Sequence, residues 1–191
     1  MSHQTAKLSA VQKLRLTALF AALICAATSI MVPLPFGYFN LGDIMILCAA
    51  WMMGPLFGAA SAAVGSALAD VIMGYIAYAP ATFVVKGCIA LAAAFLFPVF
   101  AKLFKKDFPA RLISAIVGEC IMVGGYFLYE ILLTAFGAGE ITQAGLAAAA
   151  LESATGIPFN IVQGVAGIIL STALLPVFRR IFQRNPELAK G

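Results

Sequence analysis

The chain has 191 residues, 63% of them hydrophobic and 10% charged, a net charge of +4 and a mean hydropathy of +1.02. So apolar a composition excludes an ordinary soluble domain and indicates one polytopic membrane domain over residues 1–191. The positive charge sits in short clusters between apolar runs, which marks topology rather than a nucleic-acid surface. The runs are about 17 to 25 residues long without alternating polarity, so they read as helices and not barrel strands.

A polar leader with Lys13 and Arg15 precedes the first apolar run, a helix over about 11–32. Cys25-Ala26-Ala27 resembles a signal-peptide cleavage site, but the run continues to Pro33, which favours an uncleaved helix. Ala18, Ala22 and Ala26 recur every fourth residue, and small residues at that spacing let another helix approach closely. Internal packing and docking of a membrane partner both fit the stripe.

Val32 to Asp43 contains two prolines and two glycines and reads as an ordered but bendable loop. Its aromatics Phe36, Tyr38 and Phe39 suit either a pocket cover or interfacial anchors. Residues 43–73 exceed one span, and Gly54-Pro55 divides them into helices over 43–53 and 56–73. The second carries Gly58, Ala62, Gly65 and Ala69 in small-residue spacing, which implies tight packing. Trp51 reads as an interfacial anchor near the inner surface.

Three more helices follow, at about 81–100, 111–136 and 155–178, with a Gly/Ala-rich loop before the last that holds Glu140, Glu152 and a short helix near 146–151. The expected fold is therefore an all-α bundle of six transmembrane helices. With six spans, every basic residue of the 12 except Lys86 falls on the side of the N-terminus, so both termini are expected in the cytoplasm. Lys86 is not there for topology.

A charge in a span costs about 2.5 to 3.5 kcal/mol on insertion scales, so such residues face a protein interior and often bind something. Helical rise puts Asp70, Lys86, Glu130 and Asn160 roughly 6 to 9 Å inside the ends of their four helices, at one level. Asp70 and Lys86 flank a Gly74/Tyr75/Pro80 turn, either as an internal ion pair or as ligand contacts. Glu119, Tyr126 and Glu130 share one face of the fifth helix, and Asn160 and Gln163 one face of the sixth, with Gly164 and Gly167 leaving room. The set suggests a pocket for a small, ring-bearing polar solute.

Enzyme chemistry finds little support. The chain has no GxxxxGK[ST], HExxH or GxSxG sequence, and Asn40-Leu41-Gly42-Asp43 lacks the first glycine of an intramembrane aspartyl protease. The one histidine, His3, and four unpaired cysteines give no basis for a metal or cofactor site.

Asn40-Leu41-Gly42-Asp43, Ala69-Asp70 with Gly74-Tyr75, Lys86-Gly87, Gly118-Glu119 with Gly125-Tyr126, Tyr129-Glu130, and Pro158-Phe159-Asn160 with Gln163-Gly164 together resemble the substrate-binding (S) components of energy-coupling factor (ECF) transporters. The riboflavin-type group is the most similar. The resemblance implies a multi-pass protein of a prokaryotic plasma membrane that captures a vitamin or precursor outside. It further implies a transmembrane coupling subunit and two cytoplasmic ATPases as partners, docking through Ala18, Ala22 and Ala26, and a gate that includes Tyr38, Asn40 and Asp43. Candidate ligand contacts are Asp70, Tyr75, Lys86, Glu119, Tyr126, Glu130, Asn160 and Gln163. They favour a pyridoxine or hydroxymethylpyrimidine type of compound, with riboflavin next. A structural or assembly membrane protein and a self-sufficient permease are the alternatives.

Overall fold

The computed structural model describes residues 9–34, 37–139 and 141–184, without the side chains of Leu34, Tyr38 and Gln183. His3, Phe36, Glu140 and the side chain of Tyr38 therefore lie outside the described residues. Seven α-helices occur among those described: α1 Ala10–Thr28, α2 Gly42–Met53, α3 Pro55–Ile72, α4 Ala79–Phe104, α5 Asp107–Ala138, α6 Gln143–Ser153 and α7 Ile157–Arg184. Between α1 and α2 the chain forms a hairpin, β1 Met31–Leu34 and β2 Gly37–Asn40, which replaces the expected loop and the last turn of the first helix. The strands are antiparallel, with Met31 opposite Asn40 and Val32 opposite Phe39.

Local sequence explains the boundaries. Ser9 caps α1, its hydroxyl accepting from the Gln12 N–H while the Gln12 side chain accepts from the Ser9 N–H. Gly54 separates α2 from α3 at φ 81°, a left-handed value that favours glycine, and Pro55 starts the next helix where its missing N–H costs nothing.

Five helical segments are long and apolar enough to cross a membrane: α1, α3, α4, α5 and the stretch Gln143–Phe182 that holds α6 and α7. The expected second span differs. With 12 residues, α2 falls short of the hydrocarbon core, and every residue from Gly42 to Trp51 is buried. It runs inside the bundle, packed against α1, α3, α4 and α7. Trp51 is accordingly no interfacial anchor: it is 8% exposed, and its indole N–H donates to Ser114 Oγ over 3.3 Å.

Glycines set the helix spacing around α2. A Cβ on Gly58 would meet Ala50 Cα at 2.9 Å, one on Gly125 would meet Val85 Cγ2 at 2.8 Å, and one on Gly65 would strike the carbonyl oxygen of Ala21. The expected packing stripe of α3, Gly58, Ala62, Gly65 and Ala69, is buried throughout. Gly65→Val is expected to force α1 off α3 and destabilise the bundle by about 1 to 3 kcal/mol, read as a lower thermal midpoint in detergent. An unchanged midpoint would mean that the α1–α3 contact is looser than this.

Helix α1 has two opposed faces. Leu16, Phe20, Ile24 and Thr28 are buried, whereas Ala18, Ala22 and Ala26, two residues out of phase and so on the opposite side, are exposed. Phe20 anchors the buried face by stacking on Phe182 of α7 at 5.8 Å.

Candidate functional site

Where β2 ends and α2 begins, the chain turns inward. The Asn40 side-chain carbonyl accepts from the Gly42 N–H at 3.0 Å and closes this turn. The next residue, Asp43, then enters the bundle in the first turn of α2. The sequence placed Asp43 at the edge of a gating loop; instead it is 1% exposed.

Asp43 is also the partner of Lys86. The Lys86 ammonium on α4, 1% exposed, lies 2.6 Å from Asp43 Oδ1. Gln163 of α7 donates from Nε2 to Asp43 Oδ2, also over 2.6 Å, so both carboxylate oxygens are satisfied. The Gln163 carbonyl accepts from the Asn40 N–H at 3.0 Å. One amide therefore ties the hairpin base, the start of α2 and α7 together.

Of the two readings left open for Asp70 and Lys86, the ion pair is not observed, since Lys86 is bonded to Asp43. Asp70 is half-buried on α3 beside Thr82, and its Oδ2 has no hydrogen-bond partner. Sequence spacing gave its depth but not its azimuth. The Thr82 hydroxyl meets the Tyr126 hydroxyl at 3.0 Å, and the Lys86 ammonium lies 5.5 Å from the Tyr126 ring centroid, a cation–π arrangement. Met122 Sδ is 3.2 Å from the same ammonium. Thr82 and Met122 thus belong to the cluster although the sequence reading passed over them; each lies four residues from a recognised member, one helical turn away.

Glu119, one turn before Met122 on α5, is 5% exposed, and neither of its carboxylate oxygens has a hydrogen-bond partner. Glycines make room for it, since a Cβ on Gly164 would lie 3.0 Å from Glu119 Cβ. Closer to the hairpin end of the bundle the polar side chains are less buried. Glu130 is half-buried on α5 with its carboxylate against Gly156, Asn160 is half-buried in the first turns of α7, and Tyr75 is 38% exposed. The turn before α4 is tied down by the Tyr129 hydroxyl, which donates to the Ala77 carbonyl, and by the edge-on contact of Tyr78 with Tyr129 at 5.8 Å.

The candidate residues therefore divide into two levels. Asp43, Lys86, Gln163 and Glu119 converge in a buried layer contributed by α2, α4, α5 and α7, with the partly buried Tyr126 over the Lys86 ammonium. Asp70, Tyr75, Glu130 and Asn160 stand nearer the hairpin end. All four cysteines are free, and among the described residues no group of three His, Cys, Asp or Glu is placed to hold a metal ion.

Fold and composition together define the class as a multi-pass helical membrane protein, with a charged layer buried beneath a short hairpin. The family model of the ECF-type riboflavin transporter S component matches residues 8–180, and the chain belongs to this family. It is thus a substrate-binding subunit of a vitamin transporter, not an enzyme. A protein of Pyrococcus woesei described as an uncharacterized protein in gap 3'region is 36% identical over 145 residues, covering 76% of this chain and 84% of that protein. In fold the chain is similar to a solved structure described as "Structure and mechanism of the S component of a bacterial ECF transporter", with a TM-score of 0.64 at 18% identity, covering 92% of this chain and 98% of that one.

Proposed function

We propose that this chain captures a vitamin or vitamin precursor at the hairpin end of its bundle and passes it to an ECF coupling subunit driven by two cytoplasmic ATPases. The setting is a prokaryotic plasma membrane, with both chain termini cytoplasmic, as the distribution of basic residues supports. The observation that carries this reading is the polar layer of Asp43, Lys86 and Gln163 directly below the hairpin. Burying a charged pair is costly and adds little stability by itself, so its place at the base of a cover fits the floor of a solute site.

Above that floor, Asp70, Tyr75, Tyr126, Glu130 and Asn160 supply carboxylate, phenol and amide groups to a ligand, with Lys86, Gln163 and Glu119 closing the bottom. This set suits a small heteroaromatic ring with hydroxyl or amino substituents, of pyridoxine or hydroxymethylpyrimidine type. Carboxylates accept from such substituents, and phenol rings cover the ring face. Riboflavin is the second reading, favoured by the family match over residues 8–180. The hairpin with Tyr38 and Asn40 acts as the gate, Asp43 anchors its base, and Ala18, Ala22 and Ala26 form the exposed stripe that meets the coupling subunit.

Equilibrium binding of pyridoxine, hydroxymethylpyrimidine and riboflavin to the purified chain tests this. One of them is expected to bind tightly, and Glu130→Ala or Asn160→Ala to weaken it roughly 10- to 100-fold while the thermal midpoint is retained. Unfolding of both variants would instead fit a bundle whose polar groups only lock helices together. Uptake that persists in cells lacking the ATPases would fit a self-sufficient permease.

A further inference from the structure

Glu119 is the one acid of the buried layer whose carboxyl group has no hydrogen-bond partner among the described residues. Its side chain is 5% exposed, and both oxygens lack a hydrogen-bond partner. A buried carboxylate normally stands against a cation or several donors, because alone it forfeits its hydration. The cation of this layer, Lys86, is bonded to Asp43. The ammonium already rests on Met122 and over Tyr126, which follow Glu119 at one-turn and two-turn spacing along α5. Asp43 and Glu119 also flank a single glycine: a Cβ on Gly167 would lie 3.0 Å from Asp43 Cβ and 3.3 Å from Glu119 Oε1.

Two acids thus share one amine. We propose that Glu119 is the second counter-ion of Lys86, taking over the ammonium when Asp43 moves with the hairpin. Asp43 is the mobile member because it follows β2 by only three residues, and because the Gln163 side chain holds both it and the Asn40 N–H. Lifting the hairpin base breaks these bonds together with the Asp43–Lys86 contact. The flexible Lys86 stem then turns its ammonium towards α5, and the amine is never left buried without an acid. Opening becomes an exchange of partners. Glu119 is in this sense a positioning residue that sets how readily the gate opens. The inference rests on the hairpin being the gate and is indifferent to which vitamin is carried.

The test needs no ligand. In lipid nanodiscs, amide exchange of β2 is expected to be roughly tenfold faster in Asp43→Asn, which favours the Glu119-paired state, and slower than wild type in Glu119→Gln, which removes it. Thermal midpoints supply the second readout. Glu119→Gln is expected to cost little in the wild-type chain, much in Asp43→Asn, where it removes the last acid facing Lys86, and little again in Lys86→Met/Asp43→Asn. An equal cost of Glu119→Gln in all three backgrounds overturns the proposal. So does faster β2 exchange in Glu119→Gln, or an Asp43→Asn chain that cannot be recovered folded when Glu119→Gln can. Because no vitamin is present, none of these results bears on the capture function itself.

Discussion

Lys86→Met is expected to be the most damaging single substitution in the bundle. It leaves the Asp43 carboxylate, 1% exposed, with Gln163 as its only described hydrogen-bond partner. Removing one half of a buried ion pair costs about 3 to 5 kcal/mol, because the other charge stays behind without compensation. For a chain of this size that corresponds to a fall in the thermal midpoint on the order of 10 °C. Asp43→Asn should cost clearly less, since Glu119 remains to receive the ammonium. The single tryptophan, Trp51, is buried on the same helix as Asp43, so its fluorescence reports the unfolding of both variants. Equal losses for the two would mean that the layer contains only one usable acid.

Ala22→Trp is expected to abolish transport while leaving capture intact. Ala22 is exposed between Ala18 and Ala26, opposite the face of α1 that Leu16, Phe20 and Ile24 bury. A bulky ring there has room in the isolated protein, so folding and vitamin binding should stay near wild type. At a close helix–helix contact the same ring holds the backbones apart. A loss of about 2 kcal/mol would weaken assembly with the coupling subunit roughly 30-fold. Co-purification of the subunits, together with vitamin uptake in whole cells, checks this; normal assembly of the variant would remove the stripe from the docking surface.

Much of the bundle was legible because membrane helices announce themselves by length and by what interrupts them. Gly54-Pro55 divided residues 43–73 where the structure divides them, and the small-residue stripe of α3 is the face that packs. The partner of Lys86 was harder. Helical rise fixes depth along an axis and so matches Lys86 with Asp70; Asp43, where the loop meets the helix over 43–53, sits at the very end of its axis and finds no match in depth. Azimuth and the inward turn at Asn40 come from tertiary packing. Trp51 is hard to place for a related reason: its depth suggests an interface, whereas a helix apolar on every side is either a span or buried in protein, and α2, at 12 residues, is too short to span. The hairpin strands are only four residues each and carry a proline, too short and too irregular for a period-two pattern to stand out. The lack of a partner for Glu119 is a property of the assembled layer that no local sequence pattern contains.

Capture of a vitamin by this chain requires that a vitamin-like molecule sit in its bundle. Native mass spectrometry of the protein purified from cells grown in rich medium, with identification of whatever is released on denaturation, tests it most directly. One small heteroaromatic compound is expected, bound one-to-one and lost in Asn160→Ala. A protein that carries no such compound, and whose thermal midpoint is unmoved by a panel of vitamins and their precursors, would contradict it.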